Sequence, residues 1–415
     1  MIESPAVVLN PGAGAGVGLI HALALGNVPI ATVSRSWPPI LGRFSRHPVL
    51  RESYRPASET LVDALRALAR RFAGRGVLFP GTDLDLETLM LARDRLEDRY
   101  VIPENRDIGD KIFEKNWQYG IAGEVDVPTP LHCFFAGGAA PDIAGFRYPM
   151  IVKPSTRGAT AGDWVFRLRI LQDEGELEAL LAEIGREHPG REFQIAENIL
   201  GEPDHLYTVG AYSNSQGRVL RTYTGRKLSQ YPYHHGVASL AESIEVPDDV
   251  VAGAVRLLER MKFFGISQVE YKLDDRDGRY KLIEVNGRSW LWVKLAAFSG
   301  VNLPLIQYCD LAGAAGLDEA IASPQSYDRF YLHDLHVHLN NNPVEKARLA
   351  EISRQKECVR ANQQSGDVLL NLVYGAGVVA RRARAAVNPQ AALGGQWVRS
   401  RATDTVRESV RSVRK

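Results

Sequence analysis

Cysteine is scarce: Cys133, Cys309 and Cys358 are the only three in 415 residues, far apart and odd in number. With no CxxC pair, neither a disulfide framework nor a cysteine zinc site is indicated, and the thiols read as those of a reducing compartment. Net charge is also nearly absent, because 50 Lys and Arg oppose 49 Asp and Glu to leave +1. That balance excludes a globally basic nucleic-acid binder. The 45% hydrophobic content excludes a disordered chain. No apolar run approaches the roughly 18 residues a spanning helix needs. The opening MIESPAVVLNPG lacks the basic start and longer apolar core of a secretory signal. The expectation is a cytoplasmic protein of about two or three domains.

The first 110 residues alternate strand-like runs (Ala6 to Leu9, Pro29 to Val33, Gly76 to Phe79) with helical stretches such as Asp63 to Arg71. This order predicts βαβ units and a parallel, Rossmann-like sheet. A dinucleotide fingerprint is missing, because G-x-G-x-x-G read from Gly12 or Gly14 meets Val17 or Leu19 at its third glycine. The second strand ends on Ser34 and Arg35 rather than on an acid. The glycines therefore read as a tight turn and a close helix contact, with an NADP site using Arg35 as the lesser reading. From Asp110 to Tyr119 a helix is predicted. Beyond Pro128 and Pro130 come strands at Met150 to Lys153, from Trp164, and at Phe193 to Ala196, Leu206 to Tyr212, Arg218 to Tyr223, Ser267 to Leu273 and Tyr280 to Val285. A helix from about Gly175 to Arg186 lies among them. Short turns such as Asp277-Gly278 mark hairpins, so this half is α+β and largely antiparallel.

Chemistry is concentrated in Val269-Glu270-Tyr271-Lys272 and Ile283-Glu284-Val285-Asn286-Gly287-Arg288. On adjacent strands of one hairpin, Glu270 and Glu284 share a face, and two carboxylates side by side call for a cation between them. Asn286, two residues after Glu284, adds a hard oxygen of the kind Mg²⁺ prefers. Arg288 follows as a fixed charge for a phosphoryl oxygen. An exposed polar hairpin with ordinary ion pairs is the bland alternative. Lys153 ends an apolar strand and can aim its ammonium at phosphate. The loop Ser155-Thr156-Arg157-Gly158-Ala159-Thr160-Ala161-Gly162 is small and hydroxyl-rich, suited to phosphate, although such turns are common.

Taken in order, Lys111, Lys153 with its loop, Glu197-Asn198-Ile199-Leu200-Gly201 with Asp204, Glu270, and Glu284-x-Asn286-x-Arg288 resemble the ATP-grasp superfamily. Gly225-Arg226-Lys227-Leu228-Ser229-Gln230-Tyr231-Pro232 is similar to a segment of the D-aspartate ligase-like carboxylate-amine ligases. The resemblance covers about residues 1 to 312. It implies an N-terminal domain over 1–110, an ATP-grasp domain over 111–312 with a small lid at about 130–197, and a C-terminal extension over 313–415. By the same resemblance, Lys111 and Lys153 contact ATP phosphates together with Ser155, Thr156 and Gly158. Glu197, Asn198, Ile199 and Leu200 form the hinge that receives adenine through backbone groups, and Asp204 meets ribose. Glu270, Glu284 and Asn286 hold two Mg²⁺ ions, with Mn²⁺ able to substitute. Arg288 lies near the transferred phosphoryl group, and Lys227 near the γ-phosphate or acyl phosphate. The loop has fewer glycines than many relatives, with Gly158 and Gly162 alone.

The implied reaction is amide formation from a small-molecule carboxylate and an amine through an acyl phosphate, releasing ADP and phosphate. An ATP- and bicarbonate-dependent carboxylase of the biotin-carboxylase kind is the alternative, although no Met-Lys-Met segment is present. A non-catalytic nucleotide-binding protein is the other. Gly14, Gly81, Asp83 and the stretch from Tyr231 to Ser239 are candidates for the acid or amine pocket. Asp83 at a strand end reads equally well as a helix cap, and His234-His235 as a plain loop. Past Gly313 the resemblance fades. His336 and His338 would share a face if their segment were a strand, but a surface strand or a turn onto a helix outweighs metal binding. Val368 to Val379, followed by Arg381, Arg382 and Arg384, predicts a helical, basic tail, either packed on the core or touching an anionic membrane. From Ala376 onward nine basic residues meet two acids, so the rest of the chain is net −6 by difference from +1. A homodimer is compatible with all of this.

Overall fold

The computed structural model describes residues 2–12, 14–36, 40–55, 60–103, 106–138, 140–155, 168–232, 236–340 and 342–387. Three sheets carry the architecture. The first is parallel, in order β3-β2-β1-β4-β5, from Ala6–Leu9 (β1), Ile30–Arg35 (β2), Leu50–Tyr54 (β3), Gly76–Phe79 (β4) and Tyr100–Val101 (β5). β1 and β4 are buried along their whole length, as central strands covered by helices must be. Helix Leu61–Ala69 starts where Thr60 accepts from the Asp63 amide and the Asp63 carboxylate accepts from Thr60 N, a reciprocal cap that satisfies two orphan donors.

A small antiparallel sheet, β6-β9-β7-β8, is built from His132–Phe135 (β6), Met150–Pro154 (β7), Arg169–Leu171 (β8) and Phe193–Glu197 (β9). Helix Glu174–Glu187 buries Leu177, Leu180 and Ile184 in the same apolar cluster as Val152 and Ile195. The strand predicted from Trp164 lies outside the described residues.

The third sheet has seven strands, β14-β13-β10-β11-β12-β15-β16. They are Leu206–Ser213 (β10), Val219–Tyr231 (β11), Val237–Ser243 (β12), Gly265–Leu273 (β13), Tyr280–Asn286 (β14), Arg329–Leu332 (β15) and Glu357–Arg360 (β16). All neighbours are antiparallel except β15 and β16. Strand β12 takes up part of the stretch from Tyr231 to Ser239. Past Gly313 the chain returns to the body, since β15 pairs with β12 and β16 closes the sheet edge.

One apolar cluster ties the parts together. Val8, Leu19 and Phe79 of the N-terminal sheet layer pack with Tyr212 and Tyr223 of the seven-stranded sheet, with Trp290 and Trp292, and with Tyr331 and Val359. Gly210 is required there, because a Cβ would fall 2.3 Å from the Trp290 ring. His336 and His338 lie on helix Asp334–Asn340 rather than on a strand, with His336 buried and His338 exposed on it. Helix Val368–Val387 packs by Tyr374 and Val378 against Leu335 and buries Leu370, while Val368, Leu369, Leu372 and Val379 face out. Among the described residues no helix is long and apolar enough to cross a membrane.

Candidate functional site

Strands β13 and β14 set the geometry of the acidic pair. The turn between them is closed by Asp274 N donating to Arg279 O, with Gly278 at φ 66°. That register places Glu270 opposite Glu284 and Gln268 opposite Asn286. Because side chains alternate along a strand, all four project from one face. Their side chains are buried and bonded together: Gln268 Nε2 donates to Glu270 Oε1 (3.2 Å) and to Thr208 Oγ1 (3.0 Å). Asn286 Nδ2 donates to Gln268 Oε1 (3.3 Å) and to Glu284 Oε1 (3.4 Å).

Each carboxylate has an ammonium partner. Lys227 on β11 reaches Glu270 at 2.6 Å, and Lys115 lies 3.9 Å from Glu284. These cations relieve the repulsion that two adjacent buried carboxylates would suffer. Lys115 is 2% exposed. It opens helix Lys115–Glu124, and its amide donates to Ser155 O (3.0 Å), which joins the small sheet to the acidic face. Lys111, in contrast, is exposed on a separate 3₁₀ turn, Gly109–Phe113. The predicted single helix is broken at Glu114, whose backbone is extended (φ −93°, ψ 115°). Lys115, four residues beyond Lys111, is the lysine that the structure places beside Glu284.

Lys153 and Ser155 are buried at the end of β7. Among the described residues Ser155 Oγ has no hydrogen-bond partner. Thr156 and Gly158 lie outside the described residues, as do His234 and His235.

The hinge segment follows β9. Burial pushes the Glu197 carboxyl up, but bonds from Arg147 N (2.9 Å) and Nε (3.0 Å), with Arg276 nearby, more than offset it and hold the group below its usual range. The side chain is thus engaged by two arginines, and the carbonyls that follow it are engaged as well. Ile199 O accepts from Lys272 Nζ (2.7 Å), whose own pKa burial lowers, and Asn198 O accepts from Arg276 (3.1 Å). Leu200 O accepts from the Asp275 amide (3.3 Å). Asp204 is not isolated: Arg348, from the helix Pro343–Gln355, bonds it at 2.8 Å and Leu228 O at 2.7 Å.

Arg288 lies two residues past the end of β14 and forks the Asp83 carboxylate, Nε to Oδ1 at 2.7 Å and Nη2 to Oδ2 at 3.1 Å. Asp83 is not the helix cap: Thr82 is, accepting from the Asp85 amide. Gly14, at φ 80°, donates its amide to Asn362 Oδ1 (2.7 Å), and a Cβ on it would meet Leu291 at 2.0 Å. Gly16 likewise leaves no room for a side chain beside Pro11. The glycine turn therefore serves close packing, as expected, and brings the C-terminal Asn362 to the edge of the N-terminal sheet. Sequence reasoning missed Lys115, Gln268, Thr208 and Asn362. The alternation that singles out Glu270 and Asn286 also points to Gln268.

No family model matches the chain. It is 21% identical over 230 residues to a D-aspartate ligase of Enterococcus faecium (strain Aus0004), a match covering 52% of this chain and 54% of that enzyme, so it spans about half of the relative's length. Among solved structures, the fold is similar to an L-amino acid ligase from Bacillus licheniformis, at TM-score 0.53 and 16% identity, covering 78% of this chain and 76% of the other. It is also similar to a biotin carboxylase from Campylobacter jejuni in a β,γ-ATP complex, at TM-score 0.56 and 14% identity, covering 78% and 74%.

Proposed function

Since the chain has the ATP-grasp fold and is similar to a D-aspartate ligase, we propose that it is an ATP-dependent carboxylate-amine ligase that makes an amide through an acyl phosphate. The observation that carries this reading is the face on which Glu270, Glu284 and Asn286 converge with Lys115 and Lys227. Two carboxylates and an amide are a hard-oxygen set that fits Mg²⁺, and Mg²⁺ bound there neutralises phosphate charge.

The chain's own residues then divide the work. Lys153, Ser155 and Lys115 bind phosphate oxygens of ATP, with Lys115 in the role the sequence assigned to Lys111. Lys227 approaches the γ-phosphate and Arg288 the phosphoryl group in flight. The hinge at Glu197–Leu200 takes adenine through its backbone, and Asp204 takes ribose. A substrate carboxylate attacks the γ-phosphorus, and the bond to ADP breaks. The amine then attacks the acyl carbon, loses a proton and expels phosphate. No enzyme nucleophile is required.

The test is a panel of paired acids and amines with Mg-ATP. Production of ADP and phosphate that needs both partners supports the ligase. No turnover on the panel, together with unchanged ATP binding by Glu284→Gln, overturns it. Dependence on bicarbonate instead of an acid assigns the carboxylase alternative. Small-molecule acids and amines are the partners this reading requires; sedimentation with anionic liposomes tests the membrane contact suggested by the basic tail.

A further inference from the structure

Away from the acidic face, His21, His47 and Asp367 meet from three distant parts of the chain. Each can offer one ligand atom, and these atoms lie within 4.8 Å of one another. His21 stands on the helix Ala15–Leu25 and is fully buried, His47 is half-buried just after the 3₁₀ turn Leu41–Phe44, and Asp367 immediately precedes the helix Val368–Val387. His21 Nε2 is 3.4 Å from Asp367 Oδ2. Two ligands each about 2.1 Å from a tetrahedral ion stand about 3.4 Å apart. His47 Nε2 is buried with no hydrogen-bond partner, as is His21 Nδ1. A buried ring nitrogen without a partner is costly and calls for an explanation.

We propose that His21, His47 and Asp367 form a binding site for a divalent transition metal, zinc above all, that clamps the C-terminal helix to the N-terminal domain.

Two imidazoles and one carboxylate are a borderline donor set that zinc accepts and Mg²⁺ does not favour. The ligands are prepared in the form a metal takes. Asp367 is fixed by Ser45 Oγ (2.6 Å) and Arg46 N (3.0 Å), and these bonds together with His21 hold it ionised against the cost of burial. Burial disfavours the protonated form of both imidazoles. Arg46 and Lys294 are cations that act on the cluster, and Lys294 Nζ is engaged, donating to Arg360 O (3.0 Å) and Gln363 O (2.6 Å). Nothing in the ligase reading uses these three residues.

The experiment measures metal directly. Full-length protein purified without chelator or affinity nickel is analysed by plasma mass spectrometry, then stripped and titrated with Zn²⁺ against a chromogenic chelator. One zinc per chain is expected for wild type and for Glu284→Gln, and less than about a tenth of that for His47→Gln. Zinc at a hundredfold excess over Kd raises the Tm of wild type by about 2–5 °C and leaves His47→Gln unmoved. Asp367→Asn repeats the test, with circular dichroism showing that it folds. Folded wild type that takes up no zinc overturns the proposal, as does equal stoichiometry in His47→Gln and wild type.

Discussion

Arg288 grips both oxygens of Asp83, one residue just past β14 and one from the helix that follows β4. The two are 205 positions apart in sequence, and their bidentate geometry fixes the guanidinium plane. In the proposed reaction the pair gives the N-terminal domain a direct hold on the phosphoryl-transfer residue. Arg288→Ala is expected to lower kcat by about 10² to 10³. Asp83→Asn keeps the arginine but loosens it, so a smaller fall in kcat with ATP affinity unchanged is the expected result. Steady-state ADP release alongside calorimetric ATP binding reads both quantities.

The two lysines give a contrast, with thermal unfolding of each variant reporting the stability lost when the buried partner of Glu284 is removed. Lys115→Met removes the buried ammonium beside Glu284 and should weaken Mg-ATP binding by about tenfold or more, the order of one charge-assisted contact. Lys111→Met, on an exposed turn, should bind as wild type does. Equal losses in the two variants would restore the sequence-based assignment of Lys111.

Gln268 touches no phosphate in this scheme, yet it bonds Glu270 and accepts from Asn286. Outer-shell partners of this kind carry about 10- to 100-fold in metal affinity. Gln268→Leu should therefore raise the Mg²⁺ concentration needed for half-maximal ATP binding by about that factor. Thermal unfolding without Mg²⁺ serves as the control for packing.

Acid sensitivity has a source outside the catalytic face. His336 stacks on Tyr231 and on His333, and burial lowers its pKa from 6.5 to about 4. The folded state thus keeps this ring neutral, whereas the unfolded chain takes up a proton near pH 6.5. Stability is at its full value above pH 6.5 and falls as the pH drops toward 4, by up to about 3 kcal/mol from this residue. His333 lies further down in the same direction and adds to the slope. His336→Gln should flatten Tm between pH 6.5 and 4; an unchanged profile would assign the loss to other groups.

What could be read in the sequence followed the strength of the local pattern. β1, β4, β13 and β14 are continuous or alternating apolar runs ended by clear turn residues, and each lies where it was expected. From the alternation in β13 and β14 the Glu270 and Glu284 face followed directly. Lys111 and Lys115 are hard to separate in the sequence for a local reason of another kind. A helix continuous from Asp110 to Tyr119 makes Lys111 and Lys115 equivalent at i and i+4, and only the bend at Glu114 separates them. Strand β12 is a further case: Val237–Ser243 looks like loop because its register is set by β11 and β15, both distant in sequence. Asn362, Asp367 and Arg348 carry no motif and act through contacts made across more than a hundred residues.

Those contacts bear on how the polypeptide matures as it is made. Gly14 waits for Asn362, and His21 and Ser45 wait for Asp367. At translation speeds of about 5 to 20 residues per second, some 350 residues take roughly 20 to 70 s to arrive. Through that interval the Gly14 amide lacks the Asn362 acceptor that it meets in the finished structure. A segment made late therefore locks one made about 350 residues earlier.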